Sequence, residues 1–132
     1  RGNCSMLKNI LISFLLPILL LCAHFSYAAG DGAVAQVVVL MPSNLNAYKE
    51  TLKGYKQVIA RVAPEAKLKV YKANYAGEKT GAVYAIVEYP NMEYLAKYAD
   101  QIDNDPEWHS LGKKAPPRKV LSYDLWVDIT PD

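Results

Sequence analysis

Ala33-Val-Ala-Gln-Val-Val-Val-Leu-Met41 is apolar at nearly every position, and Ala82-Val-Tyr-Ala-Ile-Val-Glu-Tyr89 repeats the pattern further along the chain. A strand with one wet face alternates; a strand apolar on both faces is covered on both. The two runs therefore belong at the centre of a sheet. Pro42 ends the first and Pro90 the second. After Pro42, Ser43-Asn44 offers a helix cap. Leu45, Tyr48, Leu52, Tyr55, Ile59 and Val62 then recur at spacings of three and four, an apolar stripe on a helix of about five turns. Gly54 weakens that helix modestly, and Pro64 closes it.

The segments outside these two strands complete the pattern. Lys67 to Ala76 alternates and is half polar, as an edge strand does. Gly77-Glu-Lys-Thr-Gly81 turns it into the second apolar strand, making a hairpin. Asn91 caps a second helix carrying Tyr94, Leu95, Tyr98, Ala99 and Ile102, which ends at Asp103-Asn104. Asp105-Pro106-Glu107 opens a short extra helix, expected to end at Gly112. Lys113 to Pro117 reads as a basic, proline-containing loop. The last strand runs from Lys119 to Ile129, with Leu121, Tyr123, Leu125, Val127 and Ile129 expected on one face. Ser122, Asp124, Trp126 and Asp128 are expected on the other.

The order is βαββαβ, the split-βαβ or ferredoxin-like arrangement. This is an α+β class with a four-stranded antiparallel sheet and two long helices on one face. Helices on one face leave the other side of the central strands bare. A second copy packed sheet to sheet about a two-fold axis is the economical cover, so a homodimer is expected.

The first 28 residues differ in kind. Met6, Lys8 and the 13-residue apolar core Ile10 to Cys22 precede Ser26-Tyr27-Ala28, with small residues at −3 and −1 of a cleavage point. A spanning helix needs about 20 apolar residues, and Pro17 interrupts this one. Residues 1–28 are read as a secretory signal peptide cut before Ala29. The alternatives are an uncleaved anchor or a lipoprotein attached through Cys22, although Leu21 is large for that motif. Residues 1–5 precede the first Met and are read as lying outside the native start. The expected location is periplasmic or secreted, with no membrane attachment after cleavage. Residues 29–132 form one domain.

Cleavage changes the inventory. Of 132 residues, 52% are apolar and the formal charge is +2. Without Arg1 and Lys8, 13 Lys and Arg face 13 Asp and Glu, a net charge of 0. A neutral domain argues against nucleic acid as partner. Cys4, Cys22, His24, Phe14 and Phe25 are also lost. The remaining chain has no thiol, no disulfide and a single histidine, His109. Tyrosine supplies much of the bulk that phenylalanine would otherwise provide.

The strand and helix order, the two-sided central strands and the segment Asn104-Asp-Pro-Glu-Trp108 together resemble the dimeric α/β-barrel superfamily. That superfamily includes antibiotic-biosynthesis-monooxygenase-like and NIPSNAP-like domains. The resemblance spans Ala33 to Ile129 and implies a dimeric α/β barrel. It implies no single chemistry, because such domains include cofactor-independent monooxygenases, haem-binding proteins, isomerases and stress-response proteins. The haem-degrading members place an Asn, a Trp and a His on the first strand, third strand and second helix. Here Trp108 and His109 sit side by side in the late short helix, so that pattern is not met.

His109 is the one side chain whose ordinary pKa lies near neutrality. It is the candidate catalytic base, with Asp105 one turn back to orient it, or else a plain surface residue. Asp105, Glu107 and His109 do not share one helix face, so no metal site and no cofactor is expected. Trp108, Tyr84, Tyr98, Tyr123 and Arg118 are candidate ligand-binding residues: aromatic walls with hydroxyl or cationic handles. Trp126 reads as an interface residue. The function expected is an exported dimeric barrel holding a small apolar or aromatic ligand between sheet and helices. Two alternatives stand beside it. One is a cofactor-independent monooxygenase-like enzyme on an electron-rich aromatic; the other is a structural or stress-related dimer without ligand.

Overall fold

The computed structural model describes residues 32–131; the signal-peptide reading falls on residues outside that range. The elements are β1 (Val34–Pro42), α1 (Leu45–Val62), β2 (Lys67–Lys72), β3 (Val83–Tyr89), α2 (Met92–Asp103), α3 (Pro106–Lys114) and β4 (Arg118–Val127). The strands form one antiparallel sheet in the order β2-β3-β1-β4. The two doubly apolar strands are the central pair. Each helix starts on a side chain that accepts from the exposed backbone amides of its first turn. Asn44 accepts from the Ala47 amide at 3.0 Å, Asn91 from Tyr94 at 2.8 Å and Asp105 from Glu107 at 2.9 Å.

Alternation divides the sheet into two faces. Val34, Gln36, Val38 and Leu40 of β1 point toward the helices, with Val83, Ala85, Val87 and Tyr89 beside them in register. Two clusters fill the space under the helices: Val34, Ile59, Ala63, Tyr89 and Ile102 at one end, Leu40, Tyr48, Leu52 and Val83 at the other. The opposite face is apolar in its middle and carries Lys69, Glu88 and Asp124 around that strip. Val37 and Val39 are 0% and 1% exposed there, lying under Ala35, Met41, Tyr84, Ile86 and Leu121. The inner valines are thus covered by their own neighbours, and the surface left apolar belongs to the flanking residues. Tyr71 and Trp126 are 56% and 49% exposed.

Three details correct the sequence reading. Pairing of β1 with β4 shifts between Val39 and Leu40, where Ser122 faces Val39 and Val120 faces Leu40. Leu121 is the extra residue of a β-bulge, so it packs on Val37 and Val39 rather than sharing a face with Tyr123. Gly112 does not end α3, which runs on to Lys114. The strand ends also differ: β2 stops at Lys72 and β4 at Val127, leaving Ile129 outside the sheet. Beyond β2 the chain makes a single 3-10 turn, Gly77–Lys79, bounded by Gly77 and Gly81 at φ 56° and 90°. Positive φ of this kind is open to glycine without steric cost.

Gly54 and Gly112 let α1 and α3 approach closely. A Cβ on Gly54 would sit 2.5 Å from Leu111 Cδ2, and one on Gly112 would sit 3.3 Å from the Tyr55 hydroxyl. Gly54 therefore stands where helix propensity alone would favour alanine. Gly54→Val should lower stability by about 1–3 kcal/mol through overpacking, read as a lower urea midpoint at unchanged slope.

Candidate functional site

The helices lie over β1, β2 and β3 and leave β4 open, with Val120 and Leu125 half exposed on its helix-facing row. Beneath them is a cavity of about 290 Å³. Val38, Leu40 and Ala85 form its floor, and Leu52, Ile59 and Ile102 its roof. Its size lies at the lower end of small-molecule pockets, about 300–1,000 Å³.

One wall is aromatic. Tyr55 of α1 and Trp108 of α3 meet with ring centroids 4.2 Å apart and planes at 45°. Trp108 is held there by the start of its helix. One Asp105 carboxylate oxygen accepts from the Glu107 and Trp108 amides at 2.9 and 3.3 Å. The other oxygen lies 3.0 Å from the Arg61 guanidinium, which also reaches Glu107 at 3.1 Å. These bonds hold the Asp105 carboxyl below the usual carboxylate range against the opposing effect of desolvation. The same contacts tie α3 to α1.

The cavity has two polar ends. At one, Arg118 lies opposite Pro42 in register, its guanidinium carbon 5.9 Å from the Tyr48 ring centroid, with Tyr55 beside it. At the other, the Tyr89 hydroxyl donates to Gln36 Oε1 at 2.8 Å, with Tyr123 and Asp103 nearby. Gln36 is the single polar side chain in the inward row of β1. The four lining tyrosines share one electrostatic trend: burial raises the phenol pKa of Tyr48, Tyr55, Tyr89 and Tyr123. Arg118 opposes the rise at Tyr48 and Tyr55, whereas Asp103 adds to it at Tyr89 and Tyr123. Burial, reinforced by Asp100, also raises the Asp103 carboxyl, and His109 opposes that rise. At neutral pH all four phenols keep their protons and can donate hydrogen bonds.

Tyr89 is pushed up to about 12 from 10.0. Because the unfolded chain ionises first, this contribution to stability is complete below pH 10 and is lost as pH rises through about 12. Difference titration of phenolate absorbance, wild type against Tyr89→Phe, should show a transition near that upper value. A transition at the ordinary tyrosine position would contradict the buried Tyr89–Gln36 pair.

The candidates named from sequence separate clearly. Trp108, Arg118 and Tyr123 line the cavity; Tyr84, Tyr98 and His109 do not. Tyr84 packs on the opposite face with Val39, and Tyr98 meets Tyr94 with ring centroids 4.5 Å apart, both partly buried against the core cluster around Ile102 and Tyr89 rather than at the cavity. His109 is exposed, and the Asp105 carboxylate expected to orient it is taken by the helix cap and Arg61. Among the described residues no three His, Cys, Asp or Glu side chains converge as metal ligands. Gln36 and Asp103 were not anticipated. The signal for Gln36 was present, as a lone amide inside an otherwise apolar strand.

No protein-family model and no curated protein matches the chain. Solved structures do. A NIPSNAP family protein of unknown function from Agrobacterium tumefaciens superposes with TM-score 0.53 at 11% identity, covering 77% of this chain and 95% of that one. An antibiotic-biosynthesis-monooxygenase candidate from Bacteroides thetaiotaomicron gives 0.51 at 16% identity, covering 76% and 90%. An uncharacterised NIPSNAP-like domain protein from Burkholderia xenovorans gives 0.51 at 14%, covering 77% and 91%. At these identities the likeness is one of fold: the chain has the ferredoxin-like α+β fold of antibiotic-biosynthesis-monooxygenase-like and NIPSNAP domain proteins.

Proposed function

We propose that this chain is an exported small-molecule-binding protein that holds an apolar or aromatic ligand between its sheet and its helices. The observation that carries the reading is the cavity itself, with its Tyr55–Trp108 wall and hydrogen-bonding groups at its two ends. A domain that needed only a core would fill that space, because interiors pack to crystal-like density. The base expected from sequence, His109, is exposed and off the cavity wall; the titratable carboxyl that does line the cavity is Asp103, beside Tyr89 and Tyr123.

The protein works as a homodimer in this reading, two copies meeting through the faces that carry Tyr71, Tyr84, Ile86 and Trp126. Supporting this is an apolar strip on a sheet face that no helix covers, bordered by the Lys69–Glu88 ion pair and Asp124. A two-fold interface uses one such patch twice.

Native mass spectrometry of protein from its own host tests the export and binding proposals together. The polypeptide mass should begin at Ala29, and a bound small molecule should leave on activation. A chain retaining residues 6–28 would contradict export. A ligand-free spectrum, joined to no thermal shift with any small aromatic, would contradict binding.

A further inference from the structure

The cavity carries two charged side chains, Arg118 and Asp103, and they stand at different ends. Arg118 lies opposite Pro42 on β1. Gln36, which marks the other polar end, is six residues back along the same strand, or ~20 Å at about 3.3 Å per residue. Among the described residues Arg118 makes no ion pair; the cations engaged are Lys53, Arg61 and Lys69. Around it lie Tyr48 and Tyr55, phenols that remain protonated at neutral pH and so can donate. Donors therefore gather at this end, and among the described residues no carboxylate lines it. The adjoining surface, Tyr55, Trp108, Leu52 and Val38, is apolar and aromatic.

A guanidinium fork with flanking hydroxyl donors matches the two acceptor oxygens of a planar carboxylate. Resting on the ligand-binding reading above, we propose that the ligand is an aromatic or aliphatic carboxylic acid, its carboxylate held by Arg118 with Tyr48 and Tyr55 and its apolar body against Trp108. Asp103 sits at the far end, where a second carboxylate on the ligand would be repelled, so the class is monocarboxylic.

Calorimetric titration with three probes that share one body and differ in head group tests this: phenylbutyrate, phenylbutanol and phenylbutylamine. The acid should bind about tenfold to a hundredfold tighter than the alcohol, the worth of a hydrogen-bonded charge pair. Arg118→Gln should bring the acid down to about the level of the alcohol, the acid losing far more affinity than the alcohol, and Arg118→Lys should keep part of the preference. Equal binding of acid and alcohol, preference for the amine, or an acid preference that survives Arg118→Gln would overturn the carboxylate assignment and leave the binding site standing. No binding of any of the three, in a protein that also carries no ligand from its host, would remove both.

Discussion

Ala85→Phe should reduce ligand affinity by at least about a hundredfold while leaving the domain folded, a loss of about 2.7 kcal/mol or more. Ala85 lies on β3 in register with Val38 on one side and Val70 on the other, and its methyl group is part of the cavity floor. A phenyl ring placed there occupies space that is already open. The residual volume falls well below the present 290 Å³, which already stands at the foot of the small-molecule range that begins at ~300 Å³. The overpacking penalty is correspondingly small, because the ring meets vacant space before it meets the roof at Leu52 and Ile59. Titration with phenylbutanol, which carries the apolar body without a charge, gives the affinity. Urea unfolding of the same preparation shows that stability is kept. Unchanged affinity in a folded Ala85→Phe protein would place the ligand elsewhere.

Ile86→Asp should leave the protein monomeric where the proposed sheet-to-sheet dimer is the wild-type state. Ile86 points away from the helices, next to Val37 on one side and Lys69 on the other, near the middle of the apolar patch. In a two-fold interface the substitution appears twice, so two carboxylates must be desolvated close to one another. A cost of about 4 kcal/mol raises the dissociation constant about a thousandfold. Sedimentation velocity across micromolar concentrations should show dimer for the wild type and monomer for the variant, with circular dichroism confirming that the variant is folded. A wild-type protein that sediments as a soluble monomer would contradict the dimer.

The sheet was legible because its signals are periodic. Two runs apolar on both faces could only be central, and Asn44, Asn91 and Asp105 mark three helix starts by side-chain chemistry that acts within three residues. The bulge at Leu121 was not legible, since one inserted residue reverses the facing of everything on one side of it without altering the local composition. The helix through Gly112 was misread for a related reason. Glycine is a common stop signal, and here it stays within the helix, on the side that meets Tyr55. Gly54 looked like a weakness and proves to be a contact with Leu111.

The site divides in the same way. Tyr48 and Tyr55 lay in the apolar stripe of the first long helix, so their inward direction followed from spacing. Asp105 and His109 do stand one turn apart, as spacing required. Spacing could not reveal that the carboxylate would be engaged by the first-turn amides and by Arg61, forty-four residues away in sequence. Asp103 reached the cavity only through the packing of α2 against the sheet, a tertiary fact with no local signature.

The two tryptophans permit the most direct test of the account. Trp108 lines the cavity and Trp126 lies on the opposite face of the sheet, so their indole N–H resonances report on the two sides independently. In a proton–nitrogen correlation spectrum, phenylbutanol should move the Trp108 indole signal in a saturable manner and leave that of Trp126 in place. A saturable shift at Trp126 with Trp108 unmoved, or no shift at either at saturating ligand, would contradict a binding site between sheet and helices.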